Sequence, residues 1–253
     1  MSETTGESKE PAAYSSSPFV ATRWTVVLAA AVPDSWDARE AFGDLYRDYW
    51  PPLYAYVRRR GHEPAAAEDI TQDFFVALLE KQRLNGLTRE GGKFRSFLLT
   101  ALKNHLANEW DRSRAARRGA GVATLSLDEV VAETVYQLAA PDVSPPEQLF
   151  ERQWALNVLK LVRHRLDTEM TQAGKGELVR ALGPFLLGGS ADGAYLELAT
   201  KLGLSEGALK VTVHRLRKRY GELLRQEIAR TVADPAEVSA ELRYLIEVVG
   251  RGG

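Results

Sequence analysis

Apolar residues recur along this chain at three- and four-residue intervals and almost nowhere at two. That spacing predicts helices with one buried stripe each, and it leaves no run suited to a half-buried strand. Helical patterns cover residues 19–31 and 38–49, after which Pro51-Pro52 is expected to break or restart the helix, since proline lacks an N–H and crowds the preceding turn. The stretch 54–60 then ends at Gly61, a suitable C-cap. A third pattern starts near Pro64, tolerated in a first helical turn, and runs to about Arg83. Another spans residues 93–118. Residues 119–146 carry no sustained period, hold one short amphipathic turn over 125–138, and end on Ser144-Pro145-Pro146, which marks a linker. Beyond it lie a long helix over 147–171, a shorter one over 177–187 and a Gly188-Gly189 break. A helix-turn-helix pattern over 194–228 follows, and Asp234-Pro235 caps a last amphipathic helix reaching about Val249. The expected fold is all-α, in two helical domains (19–118 and 147–232) joined by an acidic linker (119–146). A flexible, Ser/Thr/Glu/Pro-rich tail (1–18) precedes them and a helical extension (233–253) follows.

Composition narrows the function classes. At 253 residues the chain is longer than the usual single domain of about 100 to 200. It contains no cysteine, which excludes a disulfide scaffold, a thiolate metal site and a cysteine nucleophile, and fits a reducing cytoplasm. His62, His105, His164 and His214 stand too far apart in sequence for a metal-ligand pair on one helix. The longest apolar run, 26–32, falls well short of the roughly 20 residues that a membrane span requires. The start of the chain is acidic and does not resemble a secretory signal. No metal, cofactor or membrane is therefore expected.

The net charge of −1 looks unfavourable for nucleic acid until it is resolved by position. Residues 93–118 sum to +5 and 205–230 to +4, whereas 61–80 sum to −5 and 128–151 to −6. Such segregation fits solvated helix faces as well as binding surfaces, so the arrangement of the residues has to decide.

Three constellations carry that arrangement. In YLELATKLGLSEGALKVTVHRLRKRYGELL a short helix meets a glycine-bearing turn, and Ser205 stands where an N-cap belongs. Leu209, Val213, Leu216, Tyr220 and Leu223 then form one apolar stripe, with Lys210, His214, Arg217 and Lys218 on the opposite arc between Arg215 and Arg219. A cationic face on the second helix of such a unit is what major-groove docking needs: cations neutralise phosphates while N-terminal residues reach base edges. In GKFRSFLLTALKNHLANEWDRSRAARR, Leu98, Leu102, Leu106 and Trp110 make a buried stripe, leaving Phe97, Thr100, Asn104, Asn108 and Asp111 on another face with Arg112 beside them. An aromatic ring among amides on a basic helix suits unstacked single-stranded bases, and it equally suits simple packing of Phe97 against a neighbouring helix. In AAAEDITQDFFVALLE, Asp69, Asp73 and Glu80 share a face, with Gln72 at its edge and Ile70, Phe74, Ala77 and Leu78 opposite. Like charges at i,i+4 cost only a few tenths of a kcal/mol, which is compatible with a basic protein partner. A catalytic carboxylate pair has no accompanying ligand histidine or phosphate-cradling loop, so no enzyme is expected.

Together these segments resemble the extracytoplasmic-function (ECF) sigma factors of bacterial RNA polymerase. LYRDYWPPLYAYVRRRGHEPAAAEDITQDFF is similar to the start of sigma region 2, and FRSFLLTALKNHLANEWDRSR to its promoter-melting segment. YLELATKLGLSEGALKVTVHRLRKR is similar to the helix-turn-helix of region 4. The resemblance implies promoter recognition without catalysis or cofactor. It assigns Asp69, Gln72 and Asp73 to the polymerase clamp helices. Phe94, Arg95, Phe97, Asn104, Asn108 and Arg112 are assigned to the −10 element, and Lys210, Thr212, Arg215 and Arg217 to the −35 element. Phe97 stands where the family usually has tryptophan, and residues 178–190 lack its usual proline-and-arginine pattern. Thr71 replaces a usual aliphatic residue: it serves either as a packing residue of similar volume or as a site for a Ser/Thr kinase, which would add about −1.5 to −2 charges there. Regulation is expected from such a kinase or an anti-sigma protein. The rival readings are a stand-alone helix-turn-helix DNA-binding regulator and a helical adaptor whose basic helices are merely solvated.

Overall fold

Each helix of the computed structural model turns the apolar stripe of its sequence inward. The structure describes residues 36–80, 93–115, 133–134, 136–137, 144–186 and 194–251, and among these there is no strand. The expected tail, the helix over 19–31, most of the turn over 125–138 and the side chain of Arg112 lie outside the described residues. The helices are α1 (Trp36–Arg59), α2 (Pro64–Glu80), α3 (Phe94–Ala115), α4 (Pro146–Gln172), α5 (Gly176–Leu186), α6 (Ala194–Leu202), α7 (Glu206–Ala229) and α8 (Val238–Gly250). A 3-10 turn, Pro235–Glu237, precedes α8 and is capped by the Asp234 side chain.

The two prolines do not break α1, contrary to expectation: the helix runs unbroken through both. Proline at 52 removes the N–H that would bond the Asp48 carbonyl one turn back. Asn157 of α4 supplies the missing donor, its Nδ2 reaching that carbonyl at 2.7 Å. The gap in the ladder of α1 thereby becomes a docking point for α4. At its end the chain turns at Gly61 with φ +94°, a conformation that a side chain would strain.

Two apolar clusters result. The first joins Leu45, Tyr49, Leu53 and Val57 of α1 to Phe74 and Phe75 of α2 and to Phe94, Leu98 and Leu102 of α3. It also takes in Phe150, Trp154 and Val158 from α4, Ile228 from the end of α7, and Leu245 and Val248 from α8. The second gathers Val162 and Leu166 of α4 with Val179 and Leu182 of α5, Ala199 of α6, and Leu209, Val213, Leu216 and Leu223 of α7. Burying one such side chain stabilises by about 1.5–3 kcal/mol, so Phe150 and Trp154, almost wholly inaccessible, fix the first half of α4 onto α1. Helix α4, about 40 Å long at 1.5 Å per residue, thus contributes to both clusters. The C-terminal extension packs with the first cluster, although α7 precedes it in the chain.

Candidate nucleic-acid and partner interfaces

Helix α2 separates its charges from its core. Asp69 and Asp73 are exposed on one face. Gln72 lies half-buried beside them, its Nε2 donating to Glu68 Oε1 at 3.2 Å. Thr71 points the other way: it has no accessible surface, and its hydroxyl donates to the Ala67 carbonyl at 2.6 Å. The structure therefore brings Asp69 and Asp73 together at the surface and keeps Thr71 away from it.

Helix α3 presents the expected polar face. Leu98 and Leu102 are fully buried, Phe97 is half-buried, and Thr100, Asn104 and Asn108 are exposed. Between α2 and α3, Phe97, Thr100, Asn104 and Asn108 line a groove of about 560 Å³ together with Phe74 and His105. An aromatic edge with two amides in an open groove can both stack a base and hydrogen-bond its edges.

Phe94 and Arg95 are not on that face. Phe94 is completely buried, its ring 6.0 Å from Phe97, and its N–H reaches the Thr231 carbonyl at 3.5 Å. Arg95 is 3% exposed. Its guanidinium lies 4.2 Å from the Trp154 ring centre and 4.7 Å from that of Tyr244. It pairs with Glu151 at 2.5 Å and also with Glu241 of α8, a carboxylate with no accessible surface. Lys93 pairs with the same Glu241 at 2.8 Å and lies over the Tyr244 ring. Farther along α3, Lys103 bonds Glu147 at 2.8 Å, which holds the Glu147 carboxyl below the usual carboxylate range.

Glu133, from the expected linker, is likewise paired within the chain. Glu133 accepts from Arg58 through both oxygens at 2.9 Å and from the Tyr54 hydroxyl at 2.5 Å. Burial first, and then that bond to Glu133, raises the Tyr54 hydroxyl above its ordinary pKa.

The helix-turn-helix forms from α6 and α7. Its turn passes through Gly203 at φ +65°, and Ser205 caps α7 by accepting from the Ala208 N–H at 3.2 Å. Leu209, Val213, Leu216, Tyr220 and Leu223 are all buried, as their spacing requires. Lys210, His214, Arg215, Arg217 and Lys218 are exposed, and Thr212 is half-buried with its hydroxyl on the Ala208 carbonyl. Lys210 pairs with Glu206 at 2.5 Å, one turn back. Arg217 directs its Nε and Nη2 to the Phe185 carbonyl at 3.0 and 2.7 Å, closing the C-terminal end of α5. Arg219 grips Glu169 of α4 through two bonds of 2.9 Å. The cations thus differ: exposed Arg217 and half-buried Arg219 also hold neighbouring helices, while Arg215 and Lys218 are exposed on the same helix.

Residues 45–116 match the family described as Sigma-70 region 2. The chain is 26% identical over 185 residues to the ECF RNA polymerase sigma factor BldN of Streptomyces coelicolor, a match covering 73% of this chain and 61% of that protein. It is also 26% identical over 181 residues to the RNA polymerase sigma factor YlaC of Bacillus subtilis, covering 71% and 89% respectively. The chain is thus similar to ECF sigma factors along most of its length, and its Sigma-70 region 2 match spans residues 45–116. No solved structure gives a significant match. The region matched to Sigma-70 region 2 begins at Leu45 and takes in the acidic face of α2 and the amide groove of α3.

What sequence reasoning missed is the ion-pair network under α8. A signal for it exists: Glu241 occupies the stripe Val238, Leu242, Leu245 and Val248, and Arg95 occupies the stripe Leu98, Leu99 and Leu102. One charge within each apolar stripe, of opposite sign, calls for a mutual partner when both stripes are buried. Among the described residues no helix is long and apolar enough to cross a membrane.

Proposed function

We propose that this chain directs bacterial RNA polymerase to promoters, recognising −10 and −35 elements and assisting strand opening, while the polymerase performs the chemistry. The observation that carries this reading is the groove between α2 and α3, where exposed Asn104 and Asn108 stand beside the half-buried Phe97 ring within the segment matched to sigma region 2. Trapped, unstacked bases there supply free energy for melting, about 1–3 kcal/mol for each stacked base. Arg112 extends the same helix toward its C-terminus.

The −35 element falls to α7 through Lys210, Thr212 and Arg215, with Arg217 dividing its donors between DNA and the end of α5. Asp69, Asp73 and Gln72 form the contact to the polymerase clamp helices. Thr71, buried and bonded to its own helix, serves packing in this conformation, and a kinase would reach it only after α2 had moved. An anti-sigma protein is the partner expected to hold the chain inactive, in the cytoplasm. A stand-alone helix-turn-helix regulator would bind duplex DNA without polymerase and have no use for the Asp69/Asp73 face.

The deciding experiment is run-off transcription with purified core polymerase and a randomised promoter library. Initiation from a defined promoter class is the expected result, and Asp69→Lys with Asp73→Lys is expected to abolish it without changing the fold. A folded protein that directs no initiation overturns the assignment.

A further inference from the structure

We propose that the cationic edge of α3 is a nucleic-acid phosphate site held shut by carboxylates of the chain itself, with α8 as the clasp. The inference rests on the sigma-factor reading. Among the described side chains at or on α3, the Lys and Arg cations are Lys93, Arg95 and Lys103, and every one faces a carboxylate from elsewhere in the chain. Lys93 meets Glu241, Arg95 meets Glu241 and Glu151, and Lys103 meets Glu147. These acids come from α8 and from the first two turns of α4. Each occupies the place that a phosphate oxygen would take on a helix carrying DNA.

Size makes the closed arrangement incompatible with promoter engagement. Elements centred near −10 and −35 lie about 25 base pairs apart, or about 85 Å of duplex at 3.4 Å per pair. A compact chain of this length has a radius of gyration of about 18 Å, and so a diameter of about 46 Å. Its longest helix spans about 40 Å. With α4 and α7 each shared between the two clusters, α3 and the helix-turn-helix cannot reach both elements until the clusters separate.

The place of separation follows from the packing. Helix α8 connects directly to α7 through residues 230–237, so lifting α8 from α3 takes Glu241 from both Lys93 and Arg95 in one movement, while Arg95 keeps Glu151 and the helix-turn-helix keeps its contacts with α4 until the clusters part there too. The same movement breaks the bond from the Phe94 N–H to the Thr231 carbonyl. Release of α8 and loss of Glu241 from both cations are then a single event, and DNA phosphates compete with Glu241 for Lys93 and with Glu241 and Glu151 for Arg95.

The absence of cysteine allows a direct test. Ser96 on α3 and Ser239 on α8 are both exposed, and Ser96→Cys with Ser239→Cys places a spin label on each side of the clasp. The free chain is expected to give one short distance by pulsed electron paramagnetic resonance, and the complex with core polymerase and promoter DNA a longer one. A complex that initiates transcription while keeping the short distance overturns the proposal. Initiation by neither labelled nor unlabelled protein overturns the sigma-factor reading and the clasp with it. As a second measurement, Glu241→Gln keeps the shape and removes the charge. It is expected to lower the concentration of the chain needed for half-maximal open-complex formation by about threefold to tenfold, because closed molecules reduce apparent affinity by their share of the population. An unchanged or higher concentration for a folded Glu241→Gln variant counts against the clasp. Should that variant fold poorly, the spin-label distances with Glu241 intact decide the matter.

Discussion

Removing Asn157 tests whether a proline in one helix created the need for an amide in another. The Asp48 carbonyl loses its intrahelical donor to Pro52 and regains one from Asn157 at 2.7 Å. Asp48 is 7% exposed, so little water is at hand to replace the amide. Leaving a buried acceptor unsatisfied costs about 1–3 kcal/mol, and Asn157→Ala is expected to fall in that range. For a chain of this size each kcal/mol lowers the melting temperature by about 2–4 °C. The reasoning is sharper in combination. With Pro52→Ala the backbone N–H at 52 returns and can bond the Asp48 carbonyl within α1. Asn157→Ala in that background should then cost no more than about 0.5 kcal/mol, a coupling of about 1–2 kcal/mol between the two sites. Urea unfolding suits the measurement, followed by far-UV circular dichroism and by tryptophan emission, because Trp50 and Trp154 are both buried in the cluster shared by α1 and α4. Equal costs for Asn157→Ala in the two backgrounds, within about 0.5 kcal/mol, would refute the compensation.

Other substitutions follow from single contacts. Thr71→Val removes a hydroxyl whose acceptor is already within the helix ladder, and should change stability by less than about 1 kcal/mol, whereas Thr71→Glu buries a charge and should destabilise by about 3 kcal/mol or more; a Thr71→Glu variant that melts like the parent would place this position at the surface. Ser205→Ala should lose about 1 kcal/mol of cap energy from α7, read as a lower melting temperature. At Glu133, burial alone would raise the carboxyl pKa, but bonds from Arg58, Tyr54 and Gln137 outweigh it and hold the group below its ordinary 4.5. A depressed folded-state pKa contributes stability that is present above the unfolded value and lost as the pH falls through the folded one. The stability difference between the parent and Glu133→Gln should therefore be constant near neutral pH and shrink below about pH 4.5, and a difference that persists to strong acid would contradict the pairing.

Much of this fold was legible because helix periodicity and cap chemistry act locally. Ser205, the five-residue stripe of α7 and the stop at Gly61 each depend on neighbours a turn away, and each appears where the spacing places it. The prolines misled because their effect was judged within one helix, while the compensating donor lies 109 residues beyond the Asp48 carbonyl that it serves. The exposed parts of the candidate surfaces were legible for the same local reason: Asp69, Asp73, Asn104 and Asn108 alternate with apolar positions on their own helices. Phe94 and Arg95 were not, since what covers them comes from α4 and α8. Position along a helix predicts which residues share a face, but only tertiary packing determines which faces stay open.

The network around Arg95 shows how that packing can remain reversible. Two cations and two carboxylates meet where Glu241 has no accessible surface and Arg95 almost none, flanked by the Trp154 and Tyr244 rings. Removing such groups from water costs several kcal/mol per ion, and mutual attraction only roughly repays this, so a buried pair adds little net stability compared with apolar side chains of the same volume. An isolated charge left in the same place would be strongly unfavourable. The network therefore penalises half-open arrangements more than it rewards the closed one, which sharpens a two-state choice between α8 seated and α8 released. A polyanion that supplies phosphates to Lys93 and Arg95, while Glu241 returns to water, satisfies every charge in the released state. An apolar seam of equal area would lack that alternative, because opening it would expose the same surface whether or not DNA were present.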